Sequence, residues 1–113
     1  MAKKESEIVF KVKLNENLIP EQITWQASDS EKPQVNQCKS TFISLWDEKE
    51  NNTLRIDLWT KDMMVDEMKK FCVQTLITMA DTFERATNEK EIATEMRSFG
   101  KSLAQKMDLL NEK

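Results

Sequence analysis

The side chains best suited to chemistry in this sequence are few. Asp62, Asp66 and Glu67 crowd one short segment, Cys38 and Cys72 are the two thiols, and Arg55 and Asp57 stand two apart beside Trp59. Three carboxylates could hold a cation or exchange protons. Calcium loops, however, alternate Asp and Asn around a glycine, and that pattern is missing here. The same three residues serve as the acidic start of a helix, where Asp62 can cap and the other two favour the positive end of the helix dipole. The cysteines lie far apart within apolar patterns and read as small buried hydrophobes, with a redox pair or a metal site as the alternatives. Arg55 and Asp57 project from one face of a strand, where they could pair with charges on a neighbouring strand or on a partner.

Missing residue types narrow the chemistry further. The chain has no histidine and no tyrosine, and Gly100 is its only glycine. Ser–His and Cys–His pairs and histidine metal ligation are therefore excluded, as is a Gly-rich loop closing backbone N–H groups on a phosphate. An active site of carboxylate, lysine or serine is the one catalytic option left. The composition argues against an enzyme, and no cofactor is expected. With 113 residues and a net charge of −3, the chain has the size and balance of one ordinary soluble domain, 1–113, fraying at 1–5 and 111–113. Its lysines are scattered, adjacent only at Lys3-Lys4 and Lys69-Lys70 and beside acids in both places, so no nucleic-acid partner is expected. The N-terminal segment lacks the apolar centre of a secretory signal, and no apolar run approaches the ~20 residues needed to cross a bilayer. A cytoplasmic location follows as the expectation.

The elements that position these residues are legible from apolar spacing. Residues 7–14 alternate, with Ile8, Phe10, Val12 and Leu14 on one face; residues 22–27 alternate again and are expected to run antiparallel to them. A polar loop from Ser28 to Asn36, containing Pro33, separates these from a third strand over 38–47. Over 35–42 a short helix is the alternative, since Val35, Cys38 and Phe42 also fit a helical spacing. The run Glu48–Asn52 makes a hairpin loop, in which asparagine tolerates positive φ, and the fourth strand is 53–59. The period then changes from two to nearly four, predicting helices over about 63–86 and 89–110, the second opened by an Asn88–Glu91 capping box. Val65, Met68, Cys72, Leu76, Met79 and Phe83 form the stripe of the first, and Ile92, Met96, Phe99, Leu103, Met107 and Leu110 that of the second. The expected architecture is α+β: a four-stranded antiparallel sheet followed by two long helices on one face.

In that arrangement Phe42 and Trp46 share the outward face of the third strand, and Arg55, Asp57 and Trp59 that of the fourth. An aromatic patch away from the helices marks a contact surface, whereas burial by the loops at 15–20 and 28–36 is the structural alternative. The five residues Phe42, Trp46, Arg55, Asp57 and Trp59 are the candidate interaction surface.

One long stretch carries a family resemblance as well. TLRIDLWTKDMMVDEMKKF (Thr53 to Phe71), TLITMADTFERAT (Thr75 to Thr87), PEQITWQASD (Pro20 to Asp29) and SLWDEKENNTLRIDLW (Ser44 to Trp59) resemble the gliding motility-associated protein GldC family, over Ser6 to about Leu103. The resemblance implies an accessory protein of bacterial gliding motility with no known enzymatic activity. It implies partners in the gliding and secretion machinery and a place in the cytoplasm or at the inner membrane surface, and it supplies no catalytic or ligand motif. The layout is also similar to that of the export chaperone SecB, which implies self-association and capture of extended polypeptide, with Met63, Met64 and Phe71 near the mouth of a groove.

Overall fold

The computed structural model describes residues 4–28 and 34–109. The centre of the expected 28–36 loop, Leu110 and the extreme tips lie outside the described residues. The chain is α+β, with antiparallel strands followed by two helices, and it divides into two compact units, residues 1–63 and 64–113.

In the first unit, β1 (Ile8–Leu14) pairs antiparallel with β2 (Pro20–Ala27), placing Phe10 beside Trp25 and Val12 beside Ile23. The turn between them is built on Asn15, whose side chain accepts the N–H groups of Asn17 (2.8 Å) and Ile19 (3.0 Å). Leu18 consequently takes the left-handed conformation, at φ 61°. β3 (Asn36–Cys38) continues the sheet on the far side of β2, and β4 (Ser40–Asp47) forms a separate two-stranded ribbon with β5 (Asn52–Trp59).

The single strand expected over 38–47, and the single four-stranded sheet, are thus replaced, among the described residues, by five strands in sheets of three and two. The break falls at Lys39. Its carbonyl accepts the N–H of Thr60 at 2.8 Å, so the backbone leaves β2 there and enters register with β5 from Ser40 onward. Residues 36–38 and 40–47 are strand, which rules out the helical alternative for that region.

The second unit is an antiparallel helix pair, α1 (Val65–Thr87) and α2 (Lys90–Lys106). Asp62 does not cap α1. Thr60–Asp62 folds into a turn in which the Thr60 hydroxyl donates to the Asp62 carboxylate. The helix starts after Met64, whose N–H is taken by Glu67 at 2.8 Å. Asn88 does not open α2 either. It ends α1 in the left-handed conformation, its N–H bonded to the Glu84 carbonyl at 2.8 Å. The second helix stops at Lys106 rather than near 110, because Asp108 turns left-handed and the Leu109 N–H reaches back to the Ala104 carbonyl at 2.8 Å.

The helices meet through small residues: Ala80 on α1, and Ala93, Gly100 and Ala104 on α2, are buried. Arg97 clamps them, its Nε donating to Asp81 at 2.9 Å and its Nη2 to Glu84 at 2.7 Å. Glu84 and then Asp81 hold that guanidinium still more firmly charged than an ordinary arginine. The expected α2 stripe is therefore offset by one position, and Ile92 and Phe99 stay exposed. The apolar faces of β1 and β5 are likewise open, with Ile8, Leu14, Leu54 and Ile56 all exposed.

Candidate functional site: an aromatic ribbon face

The hairpin loop of the ribbon fixes its register. Asp47 closes the loop, its carbonyl accepting the Asn51 N–H at 2.9 Å and its carboxylate the Glu50 N–H at 2.8 Å. Asn51 takes the positive φ, 54°, that the loop requires. The register then sets Trp46 opposite Thr53, Ser44 opposite Arg55, Phe42 opposite Asp57 and Ser40 opposite Trp59. Opposed residues of an antiparallel pair point to the same side, and alternate residues along a strand share a face. All five sequence-nominated residues therefore lie on one face.

Their geometry is specific. The Arg55 guanidinium lies 5.5 Å from the centre of the Phe42 ring and donates to Asp57 at 2.7 Å. With both side chains open to water, the ion pair contributes at most ~1 kcal/mol, and the cation–π contact a similar amount. The consequence is more positional than energetic, because the guanidinium is held over the Phe42 ring by its bond to Asp57. Trp46 and Trp59, at opposite ends of the face, are 66% and 54% exposed. A hollow of about 260 Å³ beside Trp59 is walled by Ile19, Pro20, Asp57, Leu58 and Lys61. The loop preceding β2 thus borders Trp59 without burying it.

Ser44, which strand alternation alone sets between Phe42 and Trp46, completes the face with Ser40 and Thr53, which only the register sets opposite Trp59 and Trp46. The opposite face carries Leu45, Leu54 and Ile56, each about half exposed, together with Ile43 and Leu58. Both sides of the ribbon therefore expose apolar side chains.

The other candidate chemistry resolves into local structure. Asp62 accepts the Thr60 hydroxyl, which holds its carboxyl below the ordinary aspartate range. Glu67 is engaged at the start of α1. Among the described residues no three of His, Cys, Asp and Glu gather closely enough to hold a metal ion. Both cysteines are free and partly buried. Burial pushes the Cys38 thiol up, more than the Ser40 backbone hydrogen bond pulls it down, which leaves it a poor nucleophile near neutrality. Of the residues nominated for a groove, Met64 is exposed, whereas Met63 and Phe71 are half-buried. Among the described residues no helix is long and apolar enough to cross a membrane.

These features define an α+β protein with an exposed aromatic and guanidinium face on its two-stranded ribbon. The model of the gliding motility-associated protein GldC-like family matches residues 20–109, and the chain belongs to that family. The match includes the whole ribbon and both helices. It associates the chain with gliding motility, and its description names no reaction. No curated protein and no solved structure matches the chain.

Proposed function

We propose that this chain is a non-catalytic accessory protein of bacterial gliding motility that acts as an adaptor, through protein–protein contact at Phe42, Trp46, Arg55, Asp57 and Trp59. The observation that carries the reading is the convergence of these five residues on one face with both tryptophans largely in water. Exposed tryptophans flanking an oriented arginine have the composition of an interface hot spot. The partner belongs to the gliding and secretion machinery, and contact is made in the cytoplasm or at the inner membrane surface, without nucleic acid.

The test is co-purification from a gliding cell with the wild-type chain and with Trp46→Ala and Trp59→Ala. Each substitution should weaken capture of the specific partner roughly 30-fold or more, the effect of losing a ~2 kcal/mol hot spot, and should impair spreading on agar. Unchanged capture and unchanged motility in the double variant would remove this face from consideration.

A second reading, a SecB-like chaperone or peptide-binding oligomer serving export, draws on the open apolar faces at Ile8, Leu14, Leu54 and Ile56. It predicts that the purified chain suppresses aggregation of an unfolded, unrelated client. An adaptor would leave such a client unprotected.

A further inference from the structure

β1 is the end strand of its sheet, paired with β2 on one side and with no strand on the other among the described residues. The Ser28 N–H donates to the Glu7 carbonyl at 2.9 Å and the Glu7 N–H to Ser28 Oγ at 2.9 Å, so the backbone of Glu7 faces β2. By alternation Val9, Lys11 and Lys13 face β2 as well, which leaves the N–H and carbonyl groups of Ile8, Phe10 and Val12 along the open edge. Such a row is a template for another strand. Natural edges are usually blunted by proline, a bulge, a short strand or charged side chains, lysine above all, and of the charges β1 carries Lys11 and Lys13. β1 has seven residues with no proline, its register shifts only beyond Lys13, and Ile8, Val9 and Phe10 are exposed.

Charge along this edge is ordered. Glu5 and Glu7 come first and Lys11 and Lys13 follow, all at odd positions and so on one face of the extended chain. None of the four is in an ion pair among the described residues. We propose that a second copy of this chain docks edge to edge along β1, antiparallel, about a two-fold axis through Val9. In that register Glu7 of each copy lies opposite Lys11 of the other, and Glu5 opposite Lys13. Ile8 exchanges both backbone bonds with Phe10 of the second copy, which satisfies the outward groups. The axis is perpendicular to the sheet, so the face bearing Ile8, Phe10 and Val12 continues unbroken into the second copy. Moving the axis to Phe10 retains one Glu–Lys match per copy, and moving it to Lys11 sets lysine against lysine. Charge therefore selects Val9.

The experiment is light scattering on the full chain, with two charge variants. Lys11→Glu/Lys13→Glu sets acid against acid across the axis, and Glu5→Lys/Glu7→Lys sets base against base. Wild type should have the mass of two chains, and each variant alone should dissociate at least ~10-fold more readily. An equimolar mixture of the two variants should re-form a dimer, since each then supplies the charges the other lacks. Ile8→Pro removes an outward N–H, leaves the bonds to β2 intact and should likewise give monomer with unchanged circular dichroism. A wild-type monomer at roughly 100 μM, charge variants that dimerise as wild type does, or a mixture that stays monomeric would each overturn the pairing. None of these outcomes bears on the ribbon face, which lies on the other sheet.

Discussion

The single glycine of the chain offers a test with a change of sign. Gly100 lies in the middle of α2, where glycine costs a helix about 1 kcal/mol relative to alanine. On propensity alone Gly100→Ala should stabilise. A methyl group at this position, however, would meet Ile77 Cγ1 of α1 at 2.7 Å and Cδ1 at 3.4 Å. Carbon atoms pack at about 3.5–4 Å, so the first contact is short by ~0.8 Å or more. Cγ1 is the inner atom of a β-branched side chain and cannot swing away as a chain end would. Overpacking of this kind costs about 1–3 kcal/mol, which outweighs the propensity gain and predicts a net loss near 1 kcal/mol. Ile77→Ala removes both atoms, and the nearest remaining contact found for the new methyl is the Ile77 backbone nitrogen at 3.9 Å, an ordinary separation. In that background Gly100→Ala should stabilise by up to ~1 kcal/mol, giving a coupling energy of ~2 kcal/mol. Urea unfolding of the four proteins, followed by far-UV circular dichroism, measures the cycle. Stabilisation in the wild-type background, or equal destabilisation in both, would refute the close approach of the helices at this point.

Three further predictions rest on single groups. Asp62 has its folded pKa held below the unfolded value, so its contribution to stability is complete above about pH 4 and is lost as pH falls through the folded value. Thr60→Val removes the hydroxyl donor, and the urea midpoint should then fall less between about pH 5 and pH 2.5; an unaltered acid response would show that the hydrogen bond has no influence there. Leu18 is exposed and left-handed, a conformation that disfavours leucine but suits asparagine, so Leu18→Asn should raise stability by about 0.5–1 kcal/mol without loss of burial. Cys38 should react with iodoacetamide at pH 7 at least ~10-fold faster in urea than in the folded Cys72→Ser protein, and equal rates would mean that burial does not protect the thiol.

The sequence disclosed what short-range physics controls. The alternation of 53–59, the asparagine-rich hairpin loop and the change of period at the start of α1 each depend on neighbours within a few residues, and each is present. What stayed hidden depends on distant partners. Lys39 carries no mark of a strand break, because the break is made by Thr60, twenty-one residues on, taking its carbonyl. Asn88 suits a helix start and a left-handed helix end equally well, and only the approach of α2 decides between them. The helix contact runs through Ala80, Ala93, Gly100 and Ala104 because small side chains allow closer approach than the larger apolar residues beside them. The five residues of the ribbon face were legible as strand phase, whereas the placing of Arg55 over Phe42 required the register.

The ribbon itself carries the functional argument one step further. A two-stranded antiparallel ribbon is marginal in water, and this one exposes apolar side chains on both sides, Trp46 and Trp59 on one and Leu45, Leu54 and Ile56 on the other. Covering either side would stabilise it, so exposure alone does not identify the side that recognises a partner. Composition separates them. The leucine and isoleucine side offers area without direction and suits any apolar cover. The opposite side combines aromatic rings with a guanidinium fixed at 5.5 Å above one of them and a carboxylate at 2.7 Å. Groups of that kind can discriminate between partners by charge and shape. Arg55→Lys keeps the charge and loses the guanidinium over Phe42, so it should weaken partner capture while leaving folding stability within ~0.5 kcal/mol of wild type. Leu54→Ala should do the reverse, lowering stability with little effect on which partner is captured. If the two substitutions behave alike, the ribbon is a structural element and recognition lies elsewhere on the chain.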